Sequence, residues 1–144
     1  MIAPDGRVFA GREDGGRPGV VGGHALGHNT GTEGIAVLGN FEDAVPTAEA
    51  WRSLVALLAA RCDALEIDPH GRSGPLGPAG ARRTFPTILG HGDCRPTTCP
   101  GEQLAAALPR LRDEVAAAVQ ARRVSERREA RAADDTAVLS RQRS

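Results

Sequence analysis

Two stretches of the chain carry apolar residues at the three- and four-residue spacing of an amphipathic helix. The first follows Thr47, which is placed to cap a helix N-terminus, and has Glu49 in its first turn. The second has Glu102 near its start. The apolar positions are Trp51, Leu54, Val55, Leu58, Cys62 and Leu65 in the first stretch and Leu104, Leu108, Leu111, Val115 and Val119 in the second. The pattern predicts one core-facing helix over 47–65 and another over 101–122.

Shorter apolar runs predict strands. Asp5-Gly6 separates Ile2-Ala3 from the alternating residues 7–10, which is the composition of a tight hairpin. The run 34–39 is bounded by glycines and predicts a central strand buried on both faces, and 87–90 predicts another short strand. Segments 13–32 and 68–82 are rich in residues that favour loops.

Composition limits the classes of protein and partner. A chain of 144 residues with 40% hydrophobic content fits one modest domain. Equal numbers of acidic and basic residues give no reason to expect nucleic acid as a partner. No stretch reaches the roughly 18 apolar residues of a membrane span, and the N-terminus has no signal-peptide pattern, so the chain as given is expected to be soluble and unexported. All 18 basic residues are Arg, a bias typical of a GC-rich bacterial genome.

The end of the chain has a different composition from the rest. Beyond about residue 123 it is charged and poor in large apolar side chains. Such a segment is expected to be disordered or a frayed continuation of the second helix. We therefore predict a domain over 1–122, a tail over 123–144 and a monomeric protein.

One segment carries candidate chemistry. His91 and Cys99 lie eight residues apart around a loop that contains Pro96 and could fold back to present both side chains to one ion. Zinc favours this mixture of nitrogen and sulfur donors, and a catalytic site needs three protein ligands plus an open position. From the residues alone, a hydrogen-bonded loop histidine and a buried structural cysteine remain the alternative.

Four motifs in the same order resemble a known family. Segment 90–101 reads Gly-His-Gly-Asp-Cys-Arg-Pro-Thr-Thr-Cys-Pro-Gly. It is similar to the His-Arg-Asp…Thr-x-Cys-Pro-Gly signature of the type 2 N-acetylmuramoyl-L-alanine amidase and peptidoglycan recognition domain. Residues 5–12 resemble that family's hairpin, 20–29 its Gly-Ala-His…Asn loop and 34–41 its central strand. The resemblance covers roughly residues 1–118.

The resemblance implies an activity and a set of site residues. His91 and Cys99 correspond to the second and third zinc ligands, and Thr97 to the position that helps polarise the scissile carbonyl. The implied reaction is zinc-dependent hydrolysis of the amide between N-acetylmuramic acid and L-Ala in bacterial peptidoglycan, a step of cell-wall catabolism. His24, Asn29 and Arg12 correspond to positions that border the groove for peptidoglycan or muropeptides.

Each of the groove residues also has a purely structural interpretation. A histidine in a Gly-rich loop, such as His24 or His28, often only satisfies backbone groups. Asn29 could only supply a left-handed turn conformation. Arg12 could be a solvated charge at a strand end.

The departures from the family pattern lead to the remaining expectations. The family's first zinc ligand lies upstream of the hairpin, so that ligand and the first strand are expected to be missing from this sequence, which also has no Tyr to assist catalysis. Gly92 replaces the usual Arg after the ligand histidine, and Cys94 could compete for the metal.

The expected fold is α/β, with a mixed central β-sheet flanked by helices. A zinc amidase that is secreted or cell-wall associated in its complete form, a non-catalytic recognition module and an inactive fragment all stay open.

Overall fold

The computed structural model describes residues 1–11, 20–80 and 82–141, and the side chains up to residue 134. Three helices lie in these ranges: α1 (Ala48–Ala64), α2 (His91–Cys94) and α3 (Glu102–Arg141). None of the described helices is both long and apolar enough to cross a membrane.

Helix α1 begins where the sequence predicted. The Thr47 hydroxyl accepts a hydrogen bond from the Ala50 amide at 3.1 Å, and it also donates to the Pro4 carbonyl, which ties the helix start to the N-terminal segment. The helix ends at Ala64, and Glu66 has a φ of +53° that turns the chain away. Leu65 therefore lies just outside the helix and is 52% exposed, although the periodicity included it in the apolar face.

Helix α3 contributes the apolar stripe that the spacing predicted. All five of its predicted core positions are buried, and they pack on Trp51, Leu54 and Cys62 of α1. The helix continues without a break to Arg141, while the side chains of 120–134 are exposed. The core thus ends at Val119, and the boundary at residue 122 stays a prediction.

The predicted mixed central β-sheet is wrong. Pairing in the described residues is limited to isolated bridges: Ile2 bridges Val8 in the antiparallel direction and Val37 in the parallel direction. The segment after Ala3 cannot extend these pairings, because Pro4 has no amide hydrogen and a turn over Pro4–Gly6 follows at once. The Asp5-Gly6 turn itself is present, since the Gly6 amide donates to the Ala3 carbonyl at 2.9 Å.

The two other predicted strands also differ from the structure. In segment 34–39, Ile35 and Val37 are half-buried whereas Ala36 and Leu38 are exposed, so only one face is covered. Segment 87–90 has no bridge and leads directly into α2. Instead, the loop before it folds on itself through antiparallel bridges of Arg72 with Pro86 and Leu76 with Arg83.

Candidate functional site

A cavity of about 300 Å³ lies between the loop at 24–36, the loop at 76–85 and the segment around α2. Its polar lining includes three histidines and two cysteines: His24, His28, His91, Cys94 and Cys99. Its apolar lining includes Ile35, Leu76, Phe85 and Leu89. A mostly apolar cavity with a few convergent polar groups is typical of a small-molecule site.

Each histidine of the cavity has a buried ring nitrogen without a hydrogen-bond partner. The atoms are His24 Nε2, His28 Nδ1 and His91 Nε2. A buried polar atom left unpaired costs about 1–3 kcal/mol, and such atoms are uncommon in folded proteins. Three of them around one cavity favour a ligand that supplies the missing partners.

The loop that carries His24 and His28 is held by Asn29. The Asn29 side-chain oxygen accepts hydrogen bonds from the backbone amides of His24 at 2.9 Å and Ala25 at 2.6 Å. The Thr32 hydroxyl donates to the His28 carbonyl at 2.5 Å. Asn29 thus folds its own loop through its side chain. The left-handed backbone conformation that the structural interpretation expected is wrong, because Glu66 is the one non-glycine among the described residues with a positive φ. The role of Asn29 in binding substrate stays a prediction.

The segment from Gly90 to Gly101 folds back on itself. The Gly90 amide donates to the Asp93 carboxylate at 2.7 Å at the start of α2, and the Gly92 amide donates to the Cys99 carbonyl at 2.8 Å. This closure brings His91 and Cys99 to the wall of the same cavity, while their binding of one ion stays a prediction. Cys99 is exposed and free, which excludes the interpretation of a buried structural cysteine.

Thr97 lies on a neighbouring cavity of about 310 Å³, and Cys99 lies on the wall between the two. The Thr97 hydroxyl accepts a hydrogen bond from the Cys99 amide at 3.2 Å. The structure therefore places Thr97 beside one of the two predicted metal ligands but outside the cavity that His24 and His91 line. Its catalytic role stays a prediction.

The donor set meets the demands of a catalytic zinc only in part. His91, whose Nε2 is buried and unpaired, lines the cavity together with Cys99. Within the described ranges, however, no three His, Cys, Asp or Glu side chains are grouped closely enough to hold an ion. The described residues therefore do not by themselves supply the three protein ligands that such a site needs.

Other predicted and unpredicted residues complete the site. Arg12, predicted to border the groove, lies outside the described residues. No pattern in the sequence pointed to Phe85, which is buried and meets the His28 ring edge-on with centroids 5.4 Å apart. None pointed to Glu33 either, which lines the cavity and is held by a two-pronged ion pair with Arg61 of α1 at 2.8 and 2.9 Å.

Comparisons with known proteins agree with the motifs. The family model described as N-acetylmuramoyl-L-alanine amidase matches residues 1–102. A human protein named N-acetylmuramoyl-L-alanine amidase is 35% identical over 104 residues, which are 72% of this chain and 15% of that protein. A peptidoglycan-recognition protein of Drosophila simulans is 26% identical over 104 residues, which are 72% of this chain and 47% of that protein.

The chain thus spans less than half the length of either relative, and no solved structure matches it. The family match covers the hairpin, the His24 loop and the whole His91–Cys99 segment. The chain belongs to the N-acetylmuramoyl-L-alanine amidase family.

Proposed function

We propose that this chain binds peptidoglycan fragments in the histidine-lined cavity, as part of a zinc-dependent N-acetylmuramoyl-L-alanine amidase. The observation that carries the binding proposal is the set of three buried, unpaired imidazole nitrogens around one cavity. A muropeptide offers hydroxyl, amide and carbonyl groups that pair with such nitrogens. Its methyl groups suit the apolar wall made by Ile35, Leu76, Phe85 and Leu89.

The hydrolytic part of the proposal rests on His91, Cys99 and the family match. In the complete site these two side chains would hold the zinc together with a further donor. Bound zinc would supply Lewis-acid polarisation of the amide between N-acetylmuramic acid and L-Ala and would acidify a water. Thr97, beside Cys99, would contribute a hydroxyl hydrogen bond to the oxygen of that amide.

A second candidate function follows from the donor count. Since the described residues hold no group of three donors, the cavity also suits a module that recognises peptidoglycan without cleaving it. Both candidates require muropeptide binding, and they differ in metal content.

Replacement of His24 by Ala tests the shared binding step. We expect His24→Ala to weaken binding of N-acetylmuramoyl-L-alanyl-D-isoglutamine about tenfold in calorimetric titration, because the ligand loses a hydrogen-bond partner in the cavity. His70→Ala is the matched control, since the His70 side chain is 52% exposed, pairs with Asp113 at 3.5 Å and is not part of the cavity lining. Equal affinities for the two variants would contradict the assignment of His24 to the binding site.

Zinc content separates the two candidate functions. The amidase proposal predicts about one zinc per chain by elemental analysis after purification in zinc-containing buffer, and loss of that zinc in Cys99→Ser. Cys62→Ala, which removes a thiol from the core rather than from the cavity, should leave the zinc in place. A folded chain that binds the muropeptide but carries no zinc would favour the recognition module instead.

A further inference from the structure

The imidazole of His24 lies against two glycines. A methyl group added at Gly34 would lie 2.6 Å from His24 Cβ and 2.8 Å from its Cδ2. One added at Gly22 would lie 2.6 Å from Cδ2 and 2.9 Å from Nε2. Carbon atoms in contact are separated by about 3.5–4.0 Å, so neither position has room for any side chain while the ring stays where it is.

Backbone conformation does not explain why positions 22 and 34 are glycine. Seven other glycines of the described chain have a positive φ, which favours glycine for its own sake, but Gly22 and Gly34 do not. What the two positions share is their contact with the His24 side chain. The absence of a Cβ at both is therefore connected with the position of this one ring.

The main chain of His24 is fixed independently of its ring. The Asn29 side-chain oxygen accepts from the amides of His24 and Ala25, so the backbone at His24 cannot rotate without breaking two hydrogen bonds. With the main chain held by Asn29 and the ring against two glycines, His24 lines the cavity with its Nε2 buried and unpaired. Such confinement of an unpaired atom is unfavourable in the free protein and becomes favourable when a ligand pairs with it.

We infer that Gly22 and Gly34 are positioning residues for His24: they form a slot that holds the ring with Nε2 ready for a ligand group in the cavity. This inference rests on the proposed binding of muropeptides and adds how the site prepares one of its contacts. A ring that is already oriented loses less side-chain entropy on binding, which strengthens the complex without adding a contact.

Gly22→Ala is the sharpest test, because its added methyl meets only the far end of the ring, which can turn away without disrupting the loop. We expect this variant to bind N-acetylmuramoyl-L-alanyl-D-isoglutamine about tenfold more weakly than wild type. In a His24→Ala background the same substitution should change the affinity and the melting temperature no more than Gly74→Ala does in wild type, since the clashing atoms are gone. Gly74→Ala is the control, because an added Cβ there meets nothing within 4 Å and Gly74 has no positive φ.

A spectroscopic readout keeps the inference testable apart from the proposed function. The ring protons of His24, assigned by their loss in His24→Ala, should shift in the NMR spectrum of Gly22→Ala and stay in place in Gly74→Ala. If wild type fails to bind the probe but the shift appears, the proposed ligand is wrong and the slot stands. If Gly22→Ala leaves both the His24 ring signals and the affinity unchanged, the slot does not position the ring and the inference is overturned.

Discussion

Gly101→Ala is expected to lower the free energy of unfolding by roughly 1–3 kcal/mol more than Gly80→Ala, because it adds overpacking to the strain that both variants share. Gly101 has a φ of +96° and Gly80 a φ of +84°, so alanine costs about 1–2 kcal/mol at either position. Only at Gly101 does the new methyl meet other atoms. It would lie 2.6 Å from the carbonyl oxygen of Phe41 and 2.8 Å from the backbone nitrogen of Glu42.

The contact at Gly101 matters because it lies where the start of α3 meets the segment around Phe41. The Gln103 amide donates to the Phe41 carbonyl at 3.0 Å, which fixes the start of α3 against the segment that follows Val37. Backbone atoms cannot turn aside as a flexible side chain can, and the strain therefore has no inexpensive release.

Urea denaturation followed by tryptophan fluorescence measures the effect, since Trp51 is the single tryptophan and lies in the core. Gly80→Ala is matched in chemistry and in backbone conformation but has open space around the added methyl. Equal losses of stability in the two variants would show that positive φ alone accounts for the effect of Gly101→Ala and that the contact with Phe41 does not contribute to it.

The elements that the sequence predicted correctly are those that depend on neighbours along the chain. The Thr47 cap, the five buried positions of α3 and the Asp5-Gly6 turn each follow from residues within a few positions of one another. The mixed sheet was wrong because strand pairing depends on distant segments. Whether Ile2 forms one bridge or several is decided by Pro4 and by the partners that the rest of the chain offers, which periodicity does not encode.

The candidate site also has features that could be predicted from the sequence and features that could not. The approach of His91 and Cys99 to one cavity followed from a short loop that closes through the Gly92 amide. Phe85 and the Glu33–Arg61 ion pair could not be predicted, because their contacts join residues that are far apart in sequence. The glycines around His24 are an intermediate case, since Gly22 is its neighbour in sequence but only the structure shows that the ring occupies the space of a Cβ at this position.

Trp51→Ala is expected to cost about 3–5 kcal/mol of unfolding free energy, the usual range for truncation of a buried aromatic residue. Trp51 is 8% exposed in α1 and carries three kinds of contact with α3 and the core. Its ring packs in the core, its indole nitrogen donates to the Glu114 carboxylate at 2.6 Å, and the Arg110 guanidinium lies 4.8 Å from the ring centroid. Thermal or urea unfolding followed by circular dichroism measures the loss, with Trp51→Phe as the control that keeps an aromatic ring.

The variant Trp51→Phe separates the contribution of the Trp51–Glu114 hydrogen bond to stability from that of packing, because only the hydrogen-bond contribution depends on pH. The hydrogen bond from Trp51, followed by that from Arg110, holds the pKa of Glu114 below its ordinary value. A carboxylate whose pKa is lowered by folding stabilises the protein above its unfolded pKa, and that stabilisation is lost as the pH falls through the folded pKa. The stability gap between wild type and Trp51→Phe should therefore be largest near neutral pH and should narrow at pH values acid of the ordinary glutamate pKa of about 4.3. A gap that stays constant over this range would mean that Trp51 joins α1 to α3 by packing alone and that its contact with Glu114 adds no stability.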